Sequence, residues 1–148
     1  MISVTVSVDT SKFDRMMSDI PGALARAQRN ALSSIGEHVA SEATRAFREP
    51  SLRPSPWAPR KDTKAKHPLL IKSGDLRDNF RAVVTGPDTV VVGTKVEYAS
   101  YHQQGTKHMP ARPFFPIDKS GQLTPRIMGK INADIEKAFA AELKKIGG

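Results

Sequence analysis

Two long stretches of the sequence repeat apolar residues at steps of three and four, and this repetition constrains the fold more than any other feature. They cover about residues 22–48 and 124–146. Such spacing gathers apolar side chains on one face of an α-helix, which other parts of the chain must cover. Alanine recurs on the first face and lets that helix approach its neighbours closely. The two faces carry Leu24, Ala27, Ala31, Ile35, Val39, Ala43, Ala46 and Phe47, and Ile127, Met128, Ile131, Ile135, Phe139, Leu143 and Ile146.

Four further segments have the patterns of β-strands. Residues 2–8 alternate apolar and small polar side chains, as in a strand with one buried face. Residues 80–85 and 89–94 are joined by the tight connection Gly86-Pro87-Asp88, which predicts a β-hairpin. Residues 112–117 are a short extended piece that its prolines restrict to a sheet edge or a strand end. The order predicts an α+β fold, in which an antiparallel sheet of about four strands packs against two long helices.

Shorter helical elements are expected in the connections. Residues 10–20 predict a short helix, which the pair Pro21-Gly22 ends. Ser73 is suited to cap a second one, running to about residue 80. A third, over residues 97–103, is expected to end at Gly105, because glycine readily takes the left-handed backbone conformation. The inner side of the second helix carries Leu76 and Phe80.

The chain has the composition of a single globular domain over residues 1–148. It is 39% hydrophobic and 26% charged, close to globular averages. It contains no cysteine, which excludes disulfide bonds, thiolate zinc sites and thiol catalysis. No apolar run reaches membrane-spanning length and the N-terminus lacks the pattern of a secretion signal, so no membrane partner is expected. The net charge of +8 favours nucleic acid or an acidic protein surface as a neighbour.

Residues 49–68 form a long extended loop that is rich in proline and in basic residues. It holds five prolines and the lone tryptophan of the chain, Trp57, with only Glu49 and Asp62 as acids. A span of this length without regular structure is usually a binding loop or a solvated mobile loop, and both interpretations stay open. In a binding loop, prolines reduce the entropy lost on ordering and Trp57 serves as an anchor. The basic residues are Arg53, Arg60, Lys61, Lys64 and Lys66.

No set of residues has the spacing of a catalytic, metal or cofactor site. His102 and His108 straddle a turn but lack a third ligand. Ser73 lies in no G-x-S-x-G nucleophile elbow, and the isolated glycines form no phosphate-binding loop. The sequence therefore predicts a protein that is not an enzyme and uses no metal or cofactor. The other histidines are His38, which is expected on a helix surface, and His67.

A run of motifs between residues 69 and 117 resembles one protein family. LLIKSGDLRDNF is similar to that family's Leu-x-x-Ser-Gly-x-Leu segment, and YASYHQQG, after the hairpin, to its Tyr-Ala-x-x-His-Gln-x-Gly element. PARPF then follows, as in the family. In order and spacing the chain resembles the phage virion morphogenesis family, also described as tail completion proteins. The matching residues are Leu70, Ser73, Gly74, Leu76, Tyr98, Ala99, His102, Gln103, Gly105, Pro110, Ala111, Arg112, Pro113 and Phe114.

This resemblance implies a structural virion protein of a tailed bacteriophage, which completes the tail or joins head to tail at the neck. It implies a ring of copies, expected to be a hexamer, that assembles in the host cytoplasm and contacts other neck and tail proteins, with transient contact to packaged DNA. Residues 101–117 then form an interaction arm, turned by Gly105 and stiffened by Pro110 and Pro113. The expected interface residues are Arg53, Trp57, Arg60, Lys61, Lys64, Lys66, His102, Arg112 and Phe115.

Two alternatives stay open at this point. In one, the arm packs on its own domain, so that Phe114 fills the core and Arg112 pairs with a nearby carboxylate. In the other, the chain is a non-enzymatic nucleic-acid-binding protein whose basic loop contacts phosphates while Trp57 stacks on a base. The sequence disfavours the second alternative, because it lacks the interleaved aromatic residues of single-strand binders.

Overall fold

The computed structural model describes residues 2–11, 14, 17, 20, 22–71 and 73–147. They form an α+β fold with two long helices, which confirms the predicted fold class. No helix in this part of the chain combines the length and the apolar character needed to cross a membrane. The strands are β1 (Ile2–Ser7), β2 (Arg81–Val84) and β3 (Thr89–Thr94). The helices are α1 (Ala23–Arg45), α2 (Asp75–Asp78), α3 (Ala99–Gln104) and α4 (Pro125–Gly147), and a 3-10 turn covers Pro50–Leu52.

The strands form one antiparallel sheet in the order β1-β3-β2, which confirms the predicted first strand and hairpin. Val4 of β1 lies opposite Val92 of β3, which in turn lies opposite Ala82 of β2. This register puts Val4 and Val6 on the same buried face as Val90 and Val92. Side chains on the other face are exposed or half-buried. That outer face carries Ser3, Thr5, Ser7, Arg81, Val83, Val91 and Gly93.

The sheet has three strands in the described part of the chain, one fewer than predicted. Residues 112–117 do not join it. Their two prolines have no N–H to donate to a neighbouring strand, and the N–H groups of Phe114 and Phe115 donate to the side-chain oxygen of Gln103. The segment stays outside the sheet because its backbone donors are used elsewhere.

Helix α1 covers the inner face of the sheet, as its alanine-rich stripe predicts. Ala27 and Ala31 are fully buried. The helix comes closest to the sheet at Gly36, where a Cβ atom would lie 2.7 Å from Cβ of Ala82 and 3.0 Å from Cγ2 of Val90. A larger residue at this position would push α1 away from β2 and β3, because such close-packed contacts leave no free volume.

Helix α4 lies antiparallel along α1 and completes the core. Ile127, Ile131 and Phe139 are buried on the predicted face. The stripe also predicts Met128 there, but this prediction is wrong, because 39% of Met128 is exposed. It follows Ile127 directly, and a rotation of about 100° per residue carries it to the side of the contact. The side chain of Ile146 lies outside the described part of the structure.

Two ion pairs join α1 and α4 near the two ends of their contact. Arg26 pairs with Glu142 at 3.3 Å, and Glu42 pairs with Arg126 at 2.9 Å. Both carboxylates are almost fully buried, whereas both arginine side chains are half-exposed. The hydrogen bonds from Arg26 lower the pKa of Glu142, and the bond from Lys145 lowers it further. The carboxylates therefore lie inside the helix contact while their cations reach in from its edges.

A third contact between these helices lies between the two ion pairs. Nδ1 of His38 is 2.5 Å from Oδ2 of Asp134. The His38 side chain is 45% exposed, so the prediction that it lies at the helix surface is confirmed. Its partner on α4 was not predicted, because sequence periodicity does not show which polar side chains of two helices meet.

The short helices α2 and α3 confirm two of the predicted connections. Helix α3 ends at Gly105, whose φ is 75°. Helix α2 begins differently from the prediction, because Gly74, with a φ of 86°, is the residue at its N-terminal cap. Ser73 supports the same turn from one residue earlier, where its hydroxyl accepts the N–H of Asp75 at 3.3 Å. Leu76 is buried as predicted.

The segment before α1 is described only in part. Phe13, Met16 and Pro21 lie outside the described residues, and with them most of the helix predicted over residues 10–20. Met17 is described, and it is buried in the core.

We predict that Arg126→Met destabilises the fold, because it leaves the buried Glu42 carboxylate without its cation. Glu42 is 1% exposed, and its Oε2 has no hydrogen-bond partner among the described residues. An unsatisfied buried acceptor costs about 1–3 kcal/mol, and urea unfolding should show a loss of this size. The double variant Glu42→Met/Arg126→Met removes the charge together with its partner and should recover most of the stability. Failure of the double variant to recover would contradict this account.

Candidate interaction surface

Aromatic rings from four separate segments meet in one part of the core. Phe47 and Phe114 stack with ring centroids 5.4 Å apart, and Trp57 meets the Phe47 ring edge-on at 5.6 Å. The Phe80 ring lies 5.3 Å from the rings of both Phe114 and Phe115. Phe114 and Phe115 are fully buried. The interaction arm is therefore anchored by its two phenylalanines, and the expectation that Phe114 fills the core is confirmed.

Helix α3 fixes the backbone of the arm. Oε1 of Gln103 accepts hydrogen bonds from the N–H groups of Phe114, at 2.9 Å, and Phe115, at 3.0 Å. The N–H of Arg112 donates to the carbonyl of His102 at 2.6 Å. One side chain of α3 thus replaces the strand partner that the arm lacks.

The turn from α3 into the arm requires glycine at position 105. Its φ of 75° is in the region that residues with a Cβ rarely adopt. A Cβ atom there would also lie 2.7 Å from the backbone nitrogen of Ala111. The turn predicted from Gly105 therefore brings the arm back against the end of α3.

Three hydrogen bonds tie the proline-rich loop to the arm. The indole N–H of Trp57 donates to the carbonyl of Pro113 at 2.7 Å. In the opposite direction, the Arg112 guanidinium donates to the carbonyls of Ala58 and Pro59, at 2.9 and 3.1 Å. Arg112 is 9% exposed. The local partner expected for it was a carboxylate, but the structure gives it loop carbonyls instead.

Arg53 joins the loop to the end of α1. Its guanidinium carbon lies 3.7 Å from the centre of the Trp57 ring, which is a cation–π contact. The same guanidinium donates to the carbonyls of Ala46 and Phe47, at 2.7 and 3.2 Å. These carbonyls follow the last turn of the helix, where backbone acceptors lack helical partners. Partial burial lowers the pKa of Arg53, but an arginine side chain remains charged in proteins.

The tip of the loop carries exposed positive charge. Arg60 folds back and donates to the carbonyls of Ala65 and His67, at 3.4 and 2.6 Å. The exposed lysines beside it are Lys61, Lys64 and Lys66. In the described part of the chain no ion pair involves these lysines. Their charge is available to a partner.

His102 lies on α3 between the arm and the loop. Its Nδ1 is buried and has no hydrogen-bond partner in the part of the chain that the structure describes, and the Tyr98 ring meets the imidazole edge-on at 5.9 Å. Burial lowers the pKa of His102, and the charge of Arg112 lowers it further, so the imidazole is neutral at pH 7. Among the described residues no three histidine or carboxylate side chains are grouped to hold a metal ion.

The predicted interface residues fall into two groups in the structure. One group is engaged within the molecule, where it shapes the loop and the arm, while the other lies at the exposed tip of the loop. Contact of either group with a partner stays a prediction. The engaged residues are Arg53, Trp57, Arg60, His102, Arg112 and Phe115. The exposed ones are Lys61, Lys64 and Lys66.

Three exposed apolar side chains near this region were not predicted as interface residues. Val83 of β2 is 60% exposed, and Tyr98 and Tyr101 at α3 are 42% and 56% exposed. Tyr98 belongs to the motif, but a motif match does not show which of its side chains face solvent. The alternation in β2 places Val83 on the outer face, but it does not show that this face stays uncovered.

Two surface grooves meet at Asp75 and Tyr98, which line both of them. The first, of about 710 Å³, crosses the outer face of the sheet past Val83 and Val91. The second, of about 410 Å³, lies between the loop, α2 and α3 and reaches Arg60. The two grooves adjoin at these shared residues, and together we call them the sheet–loop groove.

Comparison with known families confirms the resemblance found in the sequence. The model of the phage virion morphogenesis family matches residues 8–135. This range includes α1, the proline-rich loop, the hairpin, α3, the arm and the first half of α4. No curated protein and no solved structure matches the chain.

We predict that Gln103→Leu loosens the arm, because the buried N–H groups of Phe114 and Phe115 lose their acceptor. Unsatisfied buried donors of this kind should cost about 2–4 kcal/mol together. Chemical unfolding should show the loss, and hydrogen exchange should be faster at both amides. Gln104→Leu, at the exposed neighbouring position, is the matched control. Equal stability of the two variants would show that the Gln103 bonds do not hold the arm.

Proposed function

The chain belongs to the phage virion morphogenesis family, and from this premise we propose that it is a non-enzymatic structural protein of a tailed bacteriophage particle. In this proposal the protein completes the tail or joins head to tail at the neck, as a ring of identical subunits. Its neighbours are other neck and tail proteins, and the ring is sixfold, to match a tail tube.

The reciprocal bonds between the loop and the arm support this role most directly. Trp57 of the loop donates to the arm, and Arg112 of the arm donates to the loop. A long free loop would lose much conformational entropy when a partner ordered it. A loop that is fixed in advance presents Lys61 and Lys64 to a partner at little further entropic cost. This is the arrangement that an assembly surface requires.

The two different edges of the sheet allow the kind of contact that a ring requires. In the described part of the chain, β1 and β2 each pair with β3 alone, so they form opposite edges. A contact of the β1 edge of one copy with the β2 edge of the next is heterologous, and repeated heterologous contacts close into a ring when the rotation between neighbouring copies divides the full circle evenly. A contact between two β2 edges would be isologous, so it would join only two copies and give a dimer.

Cryo-electron microscopy of the intact particle tests this proposal. We expect a ring of identical copies of this fold at the neck or the tail end, with sixfold symmetry. A single asymmetric copy in the neck density would refute the ring. The purified chain can be monomeric at low concentration, because association must offset the entropy lost on assembly. The decisive measurement is therefore made on the particle.

We infer that the lysines of the loop face an acidic protein surface rather than DNA. A channel wall that held DNA tightly would obstruct ejection, whereas attraction to an acidic neighbour increases with each lysine. The alternative nucleic-acid-binding function requires Trp57 to stack on a base. Arg53 covers one face of that ring, and the ring N–H is bonded to Pro113, so the structure offers this alternative no support.

We predict that the double variant Lys61→Glu/Lys64→Glu blocks assembly at the neck without unfolding the protein. Both side chains are exposed, so stability should be unchanged while attraction to an acidic partner becomes repulsion. Electron microscopy of the variant phage should show separated heads and tails. Lys137→Glu/Lys144→Glu, on the exposed side of α4, is the matched control and should assemble normally. Complete variant particles that fail only to retain or eject DNA would overturn the protein-partner inference.

A further inference from the structure

The sheet–loop groove is a binding surface beyond the basic loop. We propose that it binds an extended acidic segment of a different virion protein. In this arrangement the segment lays apolar side chains over the outer face of the sheet, and its carboxylates reach the basic loop. The inference rests on the proposed function in one respect, which is that the partner is a component of the same particle.

The shape of the groove fits an extended chain. Its two parts adjoin at Asp75 and Tyr98, so their lining extends from Val83 on β2 to Arg60 in the loop. A compact ligand would fill one part and leave the other to solvent. An extended peptide covers both, because it advances about 3.3 Å with each residue.

The end of the groove over the sheet is apolar. Val83 and Val91 lie side by side in the β2–β3 register and form the floor. Val96 and Tyr98 form a wall beside them. Exposed apolar surface of this kind in a concave site marks an interaction surface, and tyrosine is enriched at such surfaces. Alternate side chains of an extended segment point the same way and would pack on this floor.

The other end of the groove is bordered by positive charge. Arg60 lines it, and the exposed Lys61 and Lys64 lie on the same loop. Asp62 and Asp75 also line this end. Asp62 accepts the N–H of Lys64 and Asp75 accepts the hydroxyl of Ser73, but these neutral donors do not cancel the charge of a carboxylate. Glu97 lines the opposite part. In the described part of the chain no ion pair involves Arg60, Asp62, Asp75 or the loop lysines. Residues 60–66 carry four basic side chains and one acid, so this part of the loop attracts carboxylates.

The charge of the chain also favours a different protein over a second copy of this chain as the occupant of the groove. The chain has a net charge of +8, so at this groove charge favours an acidic segment of another protein over a segment of a second copy. A segment with several carboxylates is attracted to the loop instead, and this raises its association rate. The preferred occupant is therefore an acidic segment of another protein.

Peptide selection on the purified full-length protein tests the groove. A random peptide library should yield sequences that combine alternating apolar residues with a cluster of Asp or Glu. A selected peptide, labelled and titrated by fluorescence anisotropy, should bind about tenfold more weakly to Val83→Thr and to Lys61→Glu/Lys64→Glu. Val84→Thr is the control, because Val84 is the next residue of the strand and points to the other face. Selection of no peptide, selection without acids, or equal binding by Val83→Thr and Val84→Thr would overturn the proposal.

Cross-linking in assembled particles tests the identity of the occupant. A photoreactive benzoylphenylalanine in place of Val83 should cross-link to an acidic segment of a different virion protein. A cross-link to a second copy of this chain, or no cross-link in particles that contain the chain, would overturn the proposal and leave the structural role intact. Absence of the chain from purified particles would instead overturn the proposed function, and the peptide titration would still decide whether the groove binds acidic segments.

Discussion

The packing of Phe47, Phe80, Phe114 and Phe115 is the interaction on which the rest of the structure depends. These rings come from the end of α1, the entry to the hairpin and the arm, which lie far apart in the sequence. Buried aromatic side chains contribute strongly to a core, so the cluster determines how these segments meet. Trp57 extends the cluster into the loop. The proposed interaction surface is therefore a continuation of the hydrophobic core, and its shape depends on the same contacts that stabilise the fold.

The burial of several motif residues shows which part of the structure the family motif describes. Gln103, Arg112 and Phe114 match the motif, and all three are buried residues that hold the arm or the loop in place. The side chains that reach solvent are mostly others, such as Tyr101 and Lys64. The motif thus identifies a framework. Proteins can share that framework and differ in the exposed residues, which in the proposed function are the ones that contact a partner.

The elements with a strong period were predictable because burial of one face requires apolar residues at regular intervals along the sequence. This holds for β1, β3 and the two long helices. The period of α4 did not show how wide its buried face is, and Met128 lies outside that face. The sequence did not show that residues 112–117 stay outside the sheet, because the acceptor of their N–H groups is the Gln103 side chain and not a neighbouring strand. At the surface, the charge of the loop was evident from sequence. The exposure of Val83 was not, because it depends on what the whole chain leaves uncovered.

The ion pairs between α1 and α4 also specify the direction in which these helices pack. In each helix an arginine is followed, after the same number of residues, by a glutamate: Arg26 and Glu42 in α1, Arg126 and Glu142 in α4. The antiparallel arrangement sets each arginine against a glutamate. A parallel arrangement of the same residues would set arginine against arginine and bury two carboxylates together, which is strongly unfavourable. The order of the charges along the two helices therefore disfavours the reversed packing direction.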